Sequence, residues 1–307
     1  MAGRGSTVDR TAGRTTEIAD SVETLLKLLS RLPLPVLHRL GGVVYLLGYY
    51  GFGFRRALTL ANLRRAFPDK SEGERRAIAR RCYRNFCDVL METVKSLTIR
   101  EAELRRRVTI ANPDVCRELA RMEGDRTVIF LAAHQCNWEW MLLISRLTCA
   151  FPIEAVYKRS RNAIVDRLLV ARRSRFGGAL IPVDRFIVEA MRRHPGVHGL
   201  ALVADQTPRR EEEKCWVRFL GQDTAFFTGP QKLAALKRAV VYFVAMRRTG
   251  RGRYEVSFER IAEPPHALDG REVIEAYASV MERRIRAAPA DWLWMYNKWK
   301  YPKGLYE

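Results

Sequence analysis

The chain has few acidic residues for its number of basic ones. Asp and Glu together number 34 against 54 Lys and Arg, which leaves a formal net charge of +20 over 307 residues. A field this positive favours an anionic partner, such as nucleic acid, an anionic membrane surface or an acidic carrier protein. A solubility role alone explains so large an excess of positive charge less well.

Metal-binding patterns are missing as well. The six cysteines form no C-x-x-C pair and no zinc-type spacing, and we interpret them as buried or incidental thiols of a reducing compartment. His194 and His198 are four residues apart, but Pro195 and Gly196 between them would break a helix, so we predict a turn. We therefore expect no metal site and no cofactor.

No apolar segment reaches the about 20 residues that a membrane-spanning helix needs. The segment Leu40–Phe54 is shorter, with Arg31, Arg39 and Arg55 close to its ends. This pattern favours a helix in the membrane interface or a tilted anchor, with a buried core helix as the alternative. Residues 1–20 are polar and lack periodicity, so we predict a disordered leader rather than a signal peptide.

Strand-like and helix-like segments alternate from Thr127 onward. The alternation predicts an α/β fold with a mixed, largely parallel central sheet flanked by helices. Upstream, Ser71 and Glu74 form a capping box at the start of a long amphipathic helix. The predicted strands are Thr127–Ala132, Ile153–Tyr157, Leu200–Ala204, Val240–Ala245 and Tyr254–Phe258, and the predicted helices are Trp138–Leu147, Ala163–Phe176, Gly229–Leu236 and Arg271–Ala287.

The strongest local signal is the segment from Ala133 to Glu139, between an apolar strand and an apolar helix. His134 would stand at the carboxyl end of a buried strand, where open α/β sheets place their ligands. Asn137 is a good N-cap, which puts Glu139 in the first helical turn. A bend between them lets Glu139 orient one ring nitrogen of His134 and leaves the other free to accept a proton.

Two other interpretations of this segment stay open on the residues alone. His134 could simply cap the end of a strand. Cys136 is the only candidate nucleophile nearby, and no G-x-S-x-G elbow is present.

The segment resembles the H-x-x-x-x-D/E motif of the lysophospholipid acyltransferase superfamily, and more specifically the lipid A biosynthesis lauroyl/myristoyl acyltransferase family. Cys136 stands where that family usually has Gly, and Tyr296-Asn297 replace a His-Arg pair. The likeness covers about residues 25 to 303 in several ordered blocks. These blocks are Asn62-Leu63, Phe67-Pro68, Tyr157-Lys158, Asn162, Asp166, Arg175-Phe176-Gly177, Ala204-Asp205-Gln206, Phe219-Leu220-Gly221, Thr228-Gly229-Pro230, Trp292-Leu293-Trp294 and Trp299-Lys300.

This resemblance implies an O-acyltransferase with a glycerol-3-phosphate acyltransferase-like fold. His134 would be the general base and Glu139 its orienting carboxylate, moving a fatty acyl chain from acyl carrier protein directly to a hydroxyl of a lipid A precursor. The implied location is the cytoplasmic face of the bacterial inner membrane. Residues 21–100 would form an N-terminal helical, membrane-associating region and residues 101–307 the acyltransferase domain.

The substrate-binding predictions concern residues that follow strand ends or flank the motif. For the basic run after Tyr157 a solvated turn is an even alternative. For Asp205 and Gln206 a structural role, positioning the loop that follows, is favoured slightly over direct catalysis. Phe226 and Phe227 are candidates for the floor of an acyl groove, with one of them expected in the core. The predicted substrate-binding residues are Asn137, Lys158, Arg159, Arg161, Asp205, Gln206 and Thr228.

Two competing functions remain. The acceptor could be another lipid, such as a lysophospholipid or an aminolipid. From a different class, the C-terminal mixture of aromatics and lysines could bind single-stranded nucleic acid. The arginines are spread over many segments rather than gathered in one binding stripe, so we predict no nucleic-acid partner.

Overall fold

The computed structural model describes residues 21–160, 162–192 and 194–304. The predicted leader, residues 1–20, lies outside the described residues. The described chain begins with helices: α1 (residues 21–31), α2 (Leu34–Leu46), α3 (Arg56–Ala66) and α4 (Glu72–Lys95). The predicted capping box is confirmed at the start of α4, where the Ser71 side chain accepts from the Glu74 N–H and the Glu74 side chain accepts from the Ser71 N–H.

The apolar stretch Leu40–Phe54 is not a single helix. It comprises the second half of α2, a π-helical turn at Leu47–Gly51, and a bend at Gly53 and Arg55, which both have positive φ. Gly tolerates this backbone conformation, so the sequence turns sharply here before α3.

A seven-stranded mixed sheet forms the centre of the fold, in the order β1-β9-β8-β2-β5-β3-β4. Neighbouring strands in it are parallel except β8 and β9, which form an antiparallel hairpin. The predicted largely parallel sheet flanked by helices is therefore confirmed. The strands are β1 (Val108–Ile110), β2 (Thr127–Ala132), β3 (Ile153–Tyr157), β4 (Leu180–Pro182), β5 (His198–Val203), β8 (Val240–Gly250) and β9 (Arg253–Ala262).

Helices cover both faces of this sheet, which explains why every residue of β2 is buried. Ile129 and Leu131 pack on one side with α11 (Glu272–Ala287), and Val128 and Phe130 pack on the other with α7 (Trp138–Thr148). The remaining helices are α5 (Glu101–Arg107), α6 (Pro113–Ala120), α7 (Trp138–Thr148), α8 (Ala163–Arg173), α9 (Phe186–Ala190), α10 (Gly229–Lys237) and α11 (Glu272–Ala287).

Sequence patterns located the long central elements and missed the short peripheral ones. β2 and β3 have the predicted bounds, whereas β1, β4 and the short helix α9 were not predicted. A separate antiparallel hairpin, β6 (Lys214–Phe219) and β7 (Gln222–Phe227), was also missed. β1, β4 and α9 have so few residues that their sequences show little periodicity and do not distinguish them from loops. β6 and β7 are as long as β2, but charged residues such as Arg218 and Asp223 interrupt their apolar character.

Candidate active site

Two polar residues follow the carboxyl ends of neighbouring parallel strands. β2 and β5 are paired so that Ala132 lies opposite Val203. Continuing each chain by two residues brings His134 beside Asp205. Because parallel strands end at the same edge of a sheet, this edge collects side chains from distant parts of the sequence.

Asp205 holds His134 through both of its carboxylate oxygens. Oδ1 lies 2.6 Å from the ring Nδ1, and Oδ2 accepts the backbone N–H of His134 at 2.9 Å. Trp292 donates its indole N–H to Oδ2 at 2.8 Å. Asp205 is buried, so these contacts compensate for the lost hydration of its carboxylate.

The other ring nitrogen, Nε2, has no hydrogen bond to the described residues, and His134 borders a large cleft. Burial alone would lower the pKa of His134, but the charge of Asp205 and its hydrogen bond raise that pKa above its ordinary value. A carboxylate on Nδ1 fixes the tautomer in which Nε2 can accept a proton. This is the arrangement of a general base.

The predicted contact between Glu139 and His134 is wrong. Glu139 instead receives two hydrogen bonds from Arg173, at 2.6 and 2.8 Å, and an ion pair from Arg172 at 3.0 Å. Burial would raise the pKa of Glu139, but the two arginines and the Trp138 indole lower it to about 2. α8 supplies both arginines, and a sequence-local view of the motif could not foresee them.

Two arginines on one glutamate leave an excess positive charge close to His134. Arg173 and Glu139 both line the cleft with His134. The Nε of Arg172 is buried without a hydrogen-bond partner in the described chain. A fixed cation in a partly buried site stabilises negative charge more strongly than it would in water.

Cys136 occupies a strained position in the turn that carries His134. Its φ is +52°, in the left-handed region that favours glycine, and its backbone N–H donates to the Asp291 carbonyl at 2.8 Å. The thiol is buried, and burial raises its pKa well above the usual range. A thiol held in the protonated form is a poor nucleophile, so Cys136 does not suit covalent catalysis.

The cleft beside His134 has a volume of about 1030 Å³. One part is apolar, where Phe130, Met141, Leu142 and Val244 line it between α7 and the sheet. Another part is bordered by basic and polar side chains, namely Lys158, Arg159, Arg173, Gln206, Arg209 and Lys300. A cleft with an apolar side and a cationic border suits an amphiphile with an anionic head group.

Comparison with known proteins assigns the chain to a family. The family model for bacterial lipid A biosynthesis acyltransferases matches residues 18–301. The chain belongs to this family. It is also 25% identical over 286 residues to the lipid A biosynthesis lauroyltransferase of Escherichia coli (strain K12), covering 92% of this chain and 91% of that protein. The protein is therefore an acyltransferase.

In this acyltransferase the predicted substrate-binding residues fall into two groups. Lys158, Arg159 and Gln206 line the cleft, as expected of residues that bind substrate. Asn137 and Asp205 do not, because both side chains are buried and hydrogen-bonded inside the protein.

Thr228 and Arg161 complete the set. The lining includes Phe227 and Gly229 on either side of Thr228 but not Thr228 itself. Arg161 lies outside the described residues. Phe227 borders the cleft while Phe226 packs in the core, so the two neighbouring aromatics divide as predicted.

The acyltransferase also has a buried lysine that the sequence did not reveal. Lys298 lies under the Phe226 ring and donates to the carbonyls of Gln206 and Ala225 at 3.4 and 3.3 Å. Burial lowers its pKa to about 7, although the charge of Asp205 opposes this shift. Lys298 thereby ties the C-terminal segment to the loop after Asp205.

The paired histidines and the helices of the acyltransferase bear on the predictions about metal binding and membrane spanning. The ring centroids of His194 and His198 lie 4.3 Å apart with the rings tilted by 32°, His198 being in β5 and His194 before it. The described residues contain no group of three or more side chains that could hold a metal ion. Among these residues, no helix combines the length and the apolar character needed to cross a membrane.

Proposed function

We propose that the acyltransferase moves a fatty acyl chain from an acyl carrier protein thioester to a hydroxyl of a lipid A precursor, with His134 as general base. The observation that carries this proposal is the Asp205–His134 pair. Asp205 holds Nδ1 of His134 and leaves Nε2 to accept a proton, and His134 borders a cleft large enough for an amphiphile. The name of the Escherichia coli relative, a lipid A biosynthesis lauroyltransferase, supports the choice of acceptor.

Direct transfer needs no enzyme-bound acyl group. Nε2 of His134 takes the proton of the acceptor hydroxyl, and the oxygen attacks the thioester carbonyl. The C–O ester bond forms as the C–S bond breaks, and the imidazolium returns its proton to the departing thiolate. Asp205 stabilises the imidazolium that forms during the reaction. General acid–base catalysis by a positioned histidine typically contributes about 10²–10⁴-fold to the rate.

Glu139 has a different role in this mechanism from the one first expected. It holds Arg173, which lines the cleft, and pairs with Arg172 behind it, so that the excess positive charge of the two arginines would stabilise the developing oxyanion or bind an anionic group of a substrate. The glutamate thus orients two cations instead of the imidazole.

The basic border of the cleft supports an acidic donor and an anionic acceptor. Lys158, Arg159 and Arg209 are exposed and line the cleft, so they are available to a phosphorylated head group or to the acidic surface of a carrier protein. The overall charge of +20 would speed the encounter with either partner.

We also propose that the N-terminal helical region, residues 21–100, docks the enzyme on the inner membrane from the cytoplasmic side. Apolar side chains at helical spacing are exposed along α2 and in the turn that follows it, and Phe52 in this turn is 84% exposed. Arg39, Arg55 and Arg56 are exposed next to them. The exposed apolar residues between positions 36 and 54 are Val36, Leu40, Val43, Val44, Leu46, Leu47, Tyr50, Phe52 and Phe54. Such a border of cations around apolar residues suits an anionic lipid surface.

The substrate assignment is tested by offering donors and acceptors in parallel. Purified enzyme in detergent would receive labelled acyl chains on acyl carrier protein or on coenzyme A, with a lipid A precursor, a lysophospholipid or an aminolipid as acceptor. We expect transfer from the carrier protein to the lipid A precursor. Transfer only to a lysophospholipid or an aminolipid, or only from coenzyme A, would refute that part of the proposal.

Membrane docking is tested by sedimentation with vesicles that contain anionic phospholipid. Phe52→Glu should reduce binding, because it places a charge among the exposed apolar residues. Leu268→Glu is the matched control, since Leu268 is 52% exposed in a loop far along the sequence from α2. Equal binding by both variants would show that α2 and the following turn do not contact the lipid.

A further inference from the structure

A buried carboxylate lies behind the turn that carries His134. Glu92 of α4 is 0% exposed, and both of its carboxylate oxygens have hydrogen-bond partners. Oε1 lies 2.9 Å from His38 Nε2, and Oε2 accepts from Asn137 Nδ2 at 2.7 Å and from the Tyr254 hydroxyl at 2.6 Å. Burying an ionisable group with so many partners is costly unless each partner is well placed.

Asn137 connects this carboxylate to the site. Its Oδ1 caps α7 by accepting the Trp140 N–H at 2.9 Å, which leaves only its Nδ2 to face Glu92. Trp140 also donates its indole N–H to the Glu92 backbone carbonyl at 3.1 Å. Asn137 stands between His134 and Glu139 in sequence, so the orientation of its backbone sets the positions of both.

The same carboxylate reaches the N-terminal helices. His38 belongs to α2, whose outer side carries exposed apolar residues such as Leu40 and Val43. Space around His38 is tight, because a Cβ added at Gly252 would lie 2.9 Å from its ring. Glu92 thus joins α2, α7 and β9 at one point directly behind the motif.

We propose that Glu92 is a positioning residue for acyl transfer, holding the His134 turn in its productive geometry through Asn137. The kinetic test of this role rests on the proposed function, because it measures the rate of acyl transfer. A displacement of about 1 Å in a reacting group can cost about 10²-fold in rate, so a contact behind the turn is enough to control catalysis. Glu92 touches neither the cleft nor the His134 ring.

The test exchanges the partners across the Glu92–Asn137 contact. Asn137→Asp would set two carboxylates against each other and displace the turn, so we expect kcat to fall by about 10²-fold with KM little changed. Adding Glu92→Gln restores a donor–acceptor pair, because the new amide donates to Asp while Asp still caps α7. The double variant should recover most of the lost kcat.

Tyr254→Phe is the matched control. It removes one buried hydrogen bond from the same oxygen of Glu92 but leaves Asn137 in place, so it should lower the melting temperature without a comparable loss of kcat. If kcat falls in proportion to the melting temperature in Asn137→Asp and Tyr254→Phe alike, Glu92 is only structural and the proposal is wrong. It is also wrong if Glu92→Gln restores stability to Asn137→Asp but not kcat.

A second readout does not depend on activity. The chain has five histidines, so the imidazole NMR signals of histidine-labelled enzyme can be assigned with His134→Ala. The His134 signal should shift in Asn137→Asp, return in the double variant and stay in place in Tyr254→Phe. An unmoved signal in Asn137→Asp would overturn the proposal even if wild-type enzyme transferred no acyl chain, a result that would separately refute the proposed function. If Asn137→Asp fails to fold, Glu92→Asp, which shortens the reach to Asn137, must shift the signal instead.

Discussion

The imidazole of His134 is held by Asp205, a residue 71 positions later, through an Nδ1–Oδ1 contact of 2.6 Å. The pairing of β2 with β5 produces this contact, because two residues beyond the Ala132–Val203 pair the two side chains are neighbours. Asp205 binds the backbone N–H of His134 as well, so it fixes both the ring and the chain.

Replacing Asp205 with Asn should change the pH dependence of transfer in a defined direction. The proposed base can accept a proton only when His134 is neutral, and Asp205 raises the pKa of His134, so kcat/KM of wild-type enzyme should fall as the pH drops below that raised pKa. Without the carboxylate, burial dominates and lowers the pKa. The acidic limb of the profile should therefore move to lower pH, with a smaller maximum because the tautomer is no longer fixed.

The pH profile of kcat/KM for Asp205→Asn beside wild-type enzyme checks this. An acidic limb that stays in place, or moves to higher pH, would mean that Asp205 does not set the ionisation of His134.

The sequence identified the two halves of this pair without joining them. His134 and Asp205 were both noted as polar residues after buried strands, which is a local pattern. Their contact depends on which strands are neighbours in the sheet. The strand order β8-β2-β5-β3 cannot be predicted from the residues of any single segment. Glu139 was assigned to His134 from the H-x-x-x-x-D/E motif and an expected bend between them, whereas its partners Arg172 and Arg173 come from α8.

The central elements were predictable for a physical reason. β2 is a short apolar run, β3 buries alternate residues, and α4 begins with a capping box, so their own residues determine them. Buried polar contacts such as Lys298 with the carbonyl of Ala225 depend on the complete fold. No periodicity distinguishes that lysine from a surface lysine.

Glu139→Gln should be strongly destabilising, and a second substitution should partly reverse it. Removing the carboxylate leaves Arg172 and Arg173 close together and uncompensated in a buried site, which costs about 3–5 kcal/mol in typical proteins. Adding Arg173→Gln removes one of the two cations and should recover part of that loss. Chemical unfolding of the single and double variants measures the difference. Equal stability for wild-type and Glu139→Gln enzyme would show that the ion-pair cluster contributes nothing to the fold.

Cys136→Gly should leave both fold and transfer largely intact. A non-glycine residue in the left-handed region costs roughly 1–2 kcal/mol, and glycine removes that strain while losing the packing of a small buried thiol. The two effects have opposite signs, so the melting temperature should change little. Cys136→Ala keeps the strain but should also retain kcat. Loss of transfer in a folded Cys136→Ala enzyme would point to a thioester intermediate on Cys136.

Lys298→Met should change how stability depends on pH. The pKa of Lys298 is about 7 in the folded protein and 10.5 in its ordinary state, so the unfolded chain binds more protons between these values. Stability from this group therefore rises as the pH increases from about 7 to about 10.5 and is constant below that window. The free energy of unfolding of wild-type enzyme minus that of Lys298→Met should increase across the window. A constant difference would show that Lys298 is not buried as a shifted cation.

The most direct test of the account is acyl transfer by His134→Ala beside wild-type enzyme, with labelled acyl carrier protein as donor and a lipid A precursor as acceptor. Circular dichroism and the melting temperature would establish that the variant is folded. If His134 is the base, the folded variant loses about 10²–10⁴-fold in kcat, the range that general-base catalysis supplies. A folded His134→Ala enzyme that transfers acyl chains at the wild-type rate would contradict the assignment of His134 as the base.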